Sequence, residues 1–232
     1  MTMFEQLERV LVVAPHADDE VLGCGGLLAR LAEGKGRAHV VFMSVDGFHH
    51  YGLSGGTSFE ERVKEVEAVA RLLCFTWEIV YPNQDMIEKL DTVPKRDLVD
   101  RFEKIYNEHR PQLLLLPCFI DYDQDHRRTF ETAFAAARPI SPRFGKWLIP
   151  MVLAYEQNKL NFAWQDLPKC PVYLDISAQI EKKIASIEAY ATQLRPAPHV
   201  RSIDGVRALA RIRGADIGVD YAEAFQVFRA VL

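Results

Sequence analysis

Residues 15–26 read Pro-His-Ala-Asp-Asp-Glu-Val-Leu-Gly-Cys-Gly-Gly. His16, Asp18, Asp19 and Glu20 put one imidazole and three carboxylates within five positions, between the apolar run Val10–Val13 and a helix-like segment. A second cluster, Asp121-Tyr122-Asp123-Gln124-Asp125-His126, follows the apolar run Gln112–Leu116. Carboxylates gathered in one crevice repel each other unless a cation sits among them. Histidine with carboxylate and no cysteine suits a divalent metal in a catalytic role, with three protein ligands and a position left for water. His16 and Asp19 are three apart, as on one turn, and His126 can reach the same point from another strand. Asp18, beside a ligand but pointing elsewhere, is then placed to take a proton from water that the metal has acidified. Either cluster alone has a blander reading. Acidic residues at a helix start complement its dipole, and Asp125 could cap a helix beginning at Arg127. Two such clusters at the same end of two strands weigh against capping alone.

The elements that must position these groups alternate. Strand-like runs cover Val10–Ala14, His39–Val45, Phe75–Tyr81, Gln112–Leu116, Val152–Tyr155 and Val172–Ile176. Helical periodicity covers Val21–Glu33, Phe59–Leu73, Lys95–Arg110, Arg127–Ala137, Ser177–Leu194 and Ile203–Arg213. The first four strands are nearly continuous in apolar residues, which suits strands covered on both faces. The pattern predicts an α/β fold: a Rossmann-like, mostly parallel sheet with helices on both faces, in a single domain over residues 1–232. In such a sheet ligands bind outside the carboxyl ends of the strands. Both charged clusters fall there, as do Asp46 after the second strand and Asn83 and Asp85 after the third. The segment Asp46–Ser58, with His49 and His50, reads as a long loop. A dinucleotide site fails at Gly23-Cys24-Gly25-Gly26, because G-x-G-x-x-G requires a glycine where Leu28 stands.

The bulk numbers narrow the class. A chain of 232 residues with 49% hydrophobic and 26% charged residues has the composition of a globular protein. A net charge of −4 gives no basic field for nucleic acid or anionic lipid. No apolar run approaches the roughly 18–20 residues that span a bilayer, and the first residues do not read as a secretory signal. Cys24, Cys74, Cys118 and Cys170 are too scattered for a zinc ribbon or a redox pair, so reduced thiols in the cytoplasm are expected. Phe144, Trp147, Phe162 and Trp164 lie in a loosely patterned region and are candidates for either core or a homo-oligomer interface.

PHADDEVLGCGG resembles the (A/P)-H-P-D-D-E-x-x-G-x-G-G signature of the zinc-dependent PIG-L/LmbE-like deacetylases, which remove acetyl groups from N-acetylglucosamine-type sugars on varied carriers. The resemblance extends along most of the chain. Arg62 and Glu65 are similar to the family's R-x-x-E helix, DYDQDHR to its second metal motif, and RGADIGVDYAEAF to the C-terminal half of a bacterial subgroup linked to sugar and glycan biosynthesis. It implies zinc, one ion per chain with iron(II) as the alternative, held by His16, Asp19 and His126. It implies Asp18 as general base, Arg62 in the substrate cleft, and Asp125 behind the metal as a supporting partner or helix cap. The implied substrate is an N-acetylated sugar or sugar conjugate. Ala17 replaces the usual proline. Asp123 stands where many members carry a histidine that stabilises the tetrahedral intermediate; His199 is the nearest candidate replacement. Asp123 also motivates the alternative of a metal-bearing sugar-binding homologue without turnover. Asp85, Tyr155, Glu156 and Glu223 are the remaining candidates for substrate contact.

Overall fold

The computed structural model describes residues 4, 7–45, 56–82, 84, 86–140, 142–157 and 169–231. The elements in chain order are β1 (Arg9–Ala14), α1 (Asp19–Glu33), β2 (Arg37–Phe42), α2 (Phe59–Leu73), β3 (Thr76–Ile79), α3 (Lys95–His109), β4 (Leu113–Leu116), α4 (Gln124–Ala136), β5 (Met151–Tyr155), β6 (Val172–Asp175), α5 (Ile180–Ala189), α6 (Ile203–Ala215) and β7 (Ala222–Ala230). They build one seven-stranded sheet in the order β3-β2-β1-β4-β5-β7-β6. Strands β1 to β5 pair in parallel, and β7 runs antiparallel to both of its neighbours.

The continuous apolar runs follow from this layering. In β1, Val10, Val12 and Ala14 face a core shared with α1, α2, α5 and α6, whereas Leu11 and Val13 face a second core under α3 and α4. Successive strand side chains point to opposite faces, so a strand covered on both sides needs an apolar residue at every position. Chain order reverses between β1 and β4, and the crevice at that switch point opens at their carboxyl ends. Both charged clusters lie there. Among the described residues no helix is long and apolar enough to cross a membrane.

Three elements depart from the sequence reading. Strand β7 was not expected, because AEAFQVFRA mixes alanine with charged residues. It is a strand through its partners: Glu223 is 4% exposed, and Lys183 of α5 donates to its Oε1 at 2.7 Å. Helix α5 stops at Ala189 rather than Leu194. The chain turns there, which buries Tyr190 and lets its hydroxyl donate to Glu20 at 2.6 Å. Helix α1 is broken at Cys24, whose φ and ψ of −145° and 26° are not helical. The broken turn leaves backbone groups without helical partners. Glu223 accepts from the N–H groups of Gly26 and Leu27 at 2.7 and 2.9 Å, and Lys183 donates to the Leu22 carbonyl at 2.9 Å. The glycines around the break allow close packing: a Cβ on Gly23 would lie 2.1 Å from the Tyr155 ring.

Glu223 and Lys183 therefore form a buried, hydrogen-bonded pair, and removal of one partner strands the other. We expect Lys183→Met to lower the unfolding free energy by about 3–5 kcal/mol. Urea denaturation checks this; a loss below about 1 kcal/mol would deny the pair its role in holding the break.

Candidate metal centre

The loop after β1 carries His16 and Asp18 and leads into Asp19 on a tightly held backbone. Asp18, the residue before α1, has φ 133°, a conformation that side-chain-bearing residues rarely adopt. Its surroundings hold it there. Its N–H donates to Glu20 Oε2 at 3.1 Å, and its carbonyl accepts from Val21 and Leu22 at 3.1 and 2.9 Å. Arg62 of α2 donates through Nη2 to the carbonyl of Ala17 and through Nη1 to Glu65 at 2.6 Å. Glu65 in turn accepts from the backbone and hydroxyl of Thr192, each at 2.7 Å. The R-x-x-E pair thus locks the loop to the chain leaving α5.

The ligand atoms of His16, Asp19 and His126 lie within 4.8 Å of one another. Asp19 Oδ2 is 3.2 Å from His126 Nε2 and 3.7 Å from His16 Nδ1. The other nitrogen of each ring faces a buried carboxylate: His16 Nε2 lies 3.0 Å from Asp125, and His126 Nδ1 lies 3.1 Å from Asp121. Asp19 is oriented as well. Its Oδ2 accepts from the His16 N–H at 3.0 Å, and its Oδ1 accepts from Gln157 Nε2 at 2.8 Å. Two imidazoles and one carboxylate, each fixed by its outer atoms, form a donor set that fits a divalent transition metal such as zinc or iron(II).

Charge around the set is tuned by burial. Glu20 is fully buried, and desolvation pushes its pKa up to about 8 against the lowering effect of the Tyr190 hydroxyl. The Asp18 side chain does not cap α1. Its Oδ2 lies 3.4 Å from Arg201 Nη1, and Asp18 is the main influence holding the Arg201 guanidinium above its usual pKa. Asp125, a residue inside α4, also accepts from the backbone N–H groups of Glu88 and Leu90 at 2.6 and 2.9 Å, so it ties the loop after β3 to the centre.

A model of the family described as GlcNAc-PI de-N-acetylase (PIG-L) matches residues 11–137, a span that contains His16, Asp19 and His126. The chain belongs to the PIG-L family. Solved structures share its fold over nearly the whole length. They include the conserved protein TT1542 from Thermus thermophilus, 27% identical with a TM-score of 0.72 over 96% of each chain. GalB, the 4-carboxy-2-hydroxymuconate hydratase from Pseudomonas putida, is 22% identical with a TM-score of 0.74, over 97% of this chain and 98% of that one. The N,N'-diacetylchitobiose deacetylase from Pyrococcus horikoshii is 23% identical with a TM-score of 0.71, over 97% and 85%. No curated protein sequence matches the chain.

Several of the expected site residues of this PIG-L protein lie elsewhere or do other work. Asp123, not Asp125, caps α4, accepting from the Asp125 N–H at 2.8 Å; its other oxygen stays 3.9 Å from His126 Nε2. The helix accordingly begins at Gln124 rather than Arg127. Arg62 is 4% exposed and supports the ligand loop instead of lining the cleft. Tyr155 is fully buried, its hydroxyl donating to the Val13 carbonyl at 3.0 Å, which places it in the core. Glu223 belongs to the break in α1, and Glu156 pairs with Arg213. His199 is exposed, and its Nδ1 accepts from the Arg201 N–H at 3.0 Å. The cation that this segment brings to Asp18 is Arg201. Asp46, His49, His50, Asp85, Phe162 and Trp164 lie outside the described residues. Sequence reasoning missed Gln157 and Arg201. Gln157 follows Glu156 and Arg201 lies two positions after His199, both residues it did single out, but neither side chain advertises its partner.

With Asp125 behind His16, Asp125→Asn should weaken zinc affinity about 10–100-fold. Competition against a chelating dye measures the change; unaltered affinity would remove Asp125 from the centre.

Proposed function

We propose that the chain is a metal-dependent hydrolase that removes the acetyl group from an N-acetylated amino sugar of the N-acetylglucosamine type, free or linked to a carrier or nucleotide. The convergence of His16, Asp19 and His126 beside a buried Asp18, in a member of the PIG-L family, carries this reading. The likeness to a chitobiose deacetylase agrees with it.

A divalent ion bound by these three residues would polarise the acetamido carbonyl and acidify water. The chain's own residues supply the proton traffic. Asp18 accepts the proton of the attacking water as the new C–O bond forms. It returns that proton to the nitrogen as the C–N bond breaks, so acetate and a free amine leave. Its carboxylate is suited to the task because it spends no oxygen on capping α1 and is held at the mouth of the centre by strained backbone.

Negative charge developing on the carbonyl oxygen needs a donor besides the metal. Asp123 is unsuited, since one oxygen already accepts from the helix and a carboxylate repels an oxyanion. Arg201 takes that part in our reading. Its Nη1 carries its side-chain contacts, to Asp18 and to Gln193 at 2.8 Å, which leaves the rest of the fork to meet the substrate.

Acetate release from a panel of N-acetylated sugars and nucleotide sugars, with zinc or iron(II) added to stripped protein, tests the reading. Turnover on at least one is expected. Affinity for such a sugar without acetate release under any metal would leave the non-catalytic binding alternative. Asp18→Asn should retain zinc stoichiometry and lose about 10²–10⁴-fold in acetate release; full activity in that variant would take the base role from Asp18.

A further inference from the structure

A second cluster of metal-binding groups lies on the α3 face of the sheet, away from the crevice. The ligand atoms of His39, Glu78 and His109 fall within 4.8 Å of one another. They come from three elements. His39 lies mid-strand in β2, Glu78 lies in the edge strand β3, and His109 is the last residue of α3. His39 and Val41 share a face of β2, and Val41 belongs to the core under α3 and α4. The cluster therefore stitches the sheet edge to the end of α3.

The hydrogen bonding is what a ligand set needs and an ordinary polar cluster lacks. His39 Nδ1 lies 2.8 Å from the Thr76 hydroxyl, its register partner on β3. With the Nδ1 proton donated to that oxygen, the lone pair is on Nε2. His39 Nε2 and Glu78 Oε1 are buried atoms that make no hydrogen bond and stand at ion-pair distance, 3.7 Å apart. An ion between them would give both atoms the partner they lack. An imidazole whose outer nitrogen is fixed by a hydrogen bond is also how proteins orient metal ligands. A cleft of about 520 Å³ between β3 and α3 reaches Glu78, and α3 contributes Asp97, Asp100 and Glu108 to its walls beside Arg101 and Lys104.

We propose that His39, Glu78 and His109 form a second divalent transition-metal site, distinct from the centre at His16, which clamps the edge strand to α3. Two imidazoles with one carboxylate select zinc, nickel or copper(II) over calcium or magnesium. Binding has a structural consequence. The two rings now stack at 3.9 Å with 21° between planes, whereas those of His16 and His126 are 5.5 Å apart and tilted by 50°. Near-parallel rings cannot both aim an in-plane lone pair at one ion. One ring must turn out of the stack when the ion enters.

Zinc stoichiometry of the stripped, full-length protein tests the site without reference to activity. Equilibrium dialysis read by elemental analysis should give two ions per chain for the wild type and one each for Glu78→Gln, His109→Gln and His126→Ala. The double variant His126→Ala/His109→Gln should bind none. Thr76→Val should keep two but weaken the second about ten-fold, as loss of an orienting hydrogen bond does. Nitrogen-15 spectra of the imidazoles should show His39 and His109 shifting on zinc addition in the His126→Ala background. A wild type that binds one ion, or two ions retained in both Glu78→Gln and His109→Gln with native circular dichroism, overturns the proposal and leaves an ion pair of His39 with Glu78.

Discussion

The arrangement on which the rest depends is a set of acidic side chains, Asp18, Asp19, Asp121, Asp123 and Asp125, drawn around two imidazoles at the carboxyl ends of β1 and β4. Three of them, Asp19, Asp121 and Asp125, are at most 2% exposed. Burying several ionised carboxylates together is prohibitive unless positive charge and donors meet them. The fold provides donors on several sides: backbone N–H groups of His16, Glu88 and Leu90, the amide of Gln157, and the outer ring nitrogen of His16. At the inner face His16 Nδ1 and His126 Nε2 converge on Asp19 Oδ2. A divalent cation fits that donor set, and the crowding of carboxylates explains why the set is held so firmly from behind. A donor set with this much repulsion has to be kept together by its supports.

Those supports reach through the molecule. Arg62, Glu65 and Thr192 hold the loop before α1, while Tyr190 and Glu20 fasten the first turn of α1 to the end of α5. One turn further along, α1 is interrupted at Cys24, and Glu223 of β7 satisfies the amides that the break exposes. The first half of α1 can then follow the geometry of the metal centre while the second half follows the packing against Ile176 and α5. A straight helix would tie both demands to one axis. This gives the antiparallel strand β7 a role beyond closing the sheet, because its one buried carboxylate decides where α1 can bend.

The layered fold was legible because every central strand is buried on both faces, so the sequence spells it out in unbroken apolar runs. The cluster of His16, Asp19 and His126 was legible because imidazole and carboxylate are chemically distinctive at strand ends. Residues whose role depends on a distant partner were not. Arg62 and Glu223 carry charges that look available for substrate, yet each is consumed by contacts to chain segments 45 to 197 positions away. Tyr155 sits at the end of a strand facing the crevice by sequence, but its ring fills the space left by Gly23. Strand β7 lacked an apolar signature because its inward charge is neutralised by Lys183. In each instance a polar side chain was satisfied internally, and pairing of that kind leaves no local mark in the chain.

The same scaffold is compatible with more than one reaction, since GalB, a hydratase, shares it. Hydration and amide hydrolysis both begin with water, a base and a polarised group. They differ in where the proton ends: on carbon in the first, on nitrogen in the second. The base alone therefore does not choose; the substituents that aim the acceptor at it do. In this chain the segment after α5 delivers Arg201 to Asp18, and it is anchored by Gln193 and by Ser202, which caps α6. In the proposed reaction an arginine fixed against Asp18 orients the carboxylate and offers its remaining N–H groups to an oxygen of the substrate. On the proposed function, the choice between nitrogen and carbon as the proton's destination draws on this C-terminal segment, outside the matched span of residues 11–137, as well as on the residues around the metal.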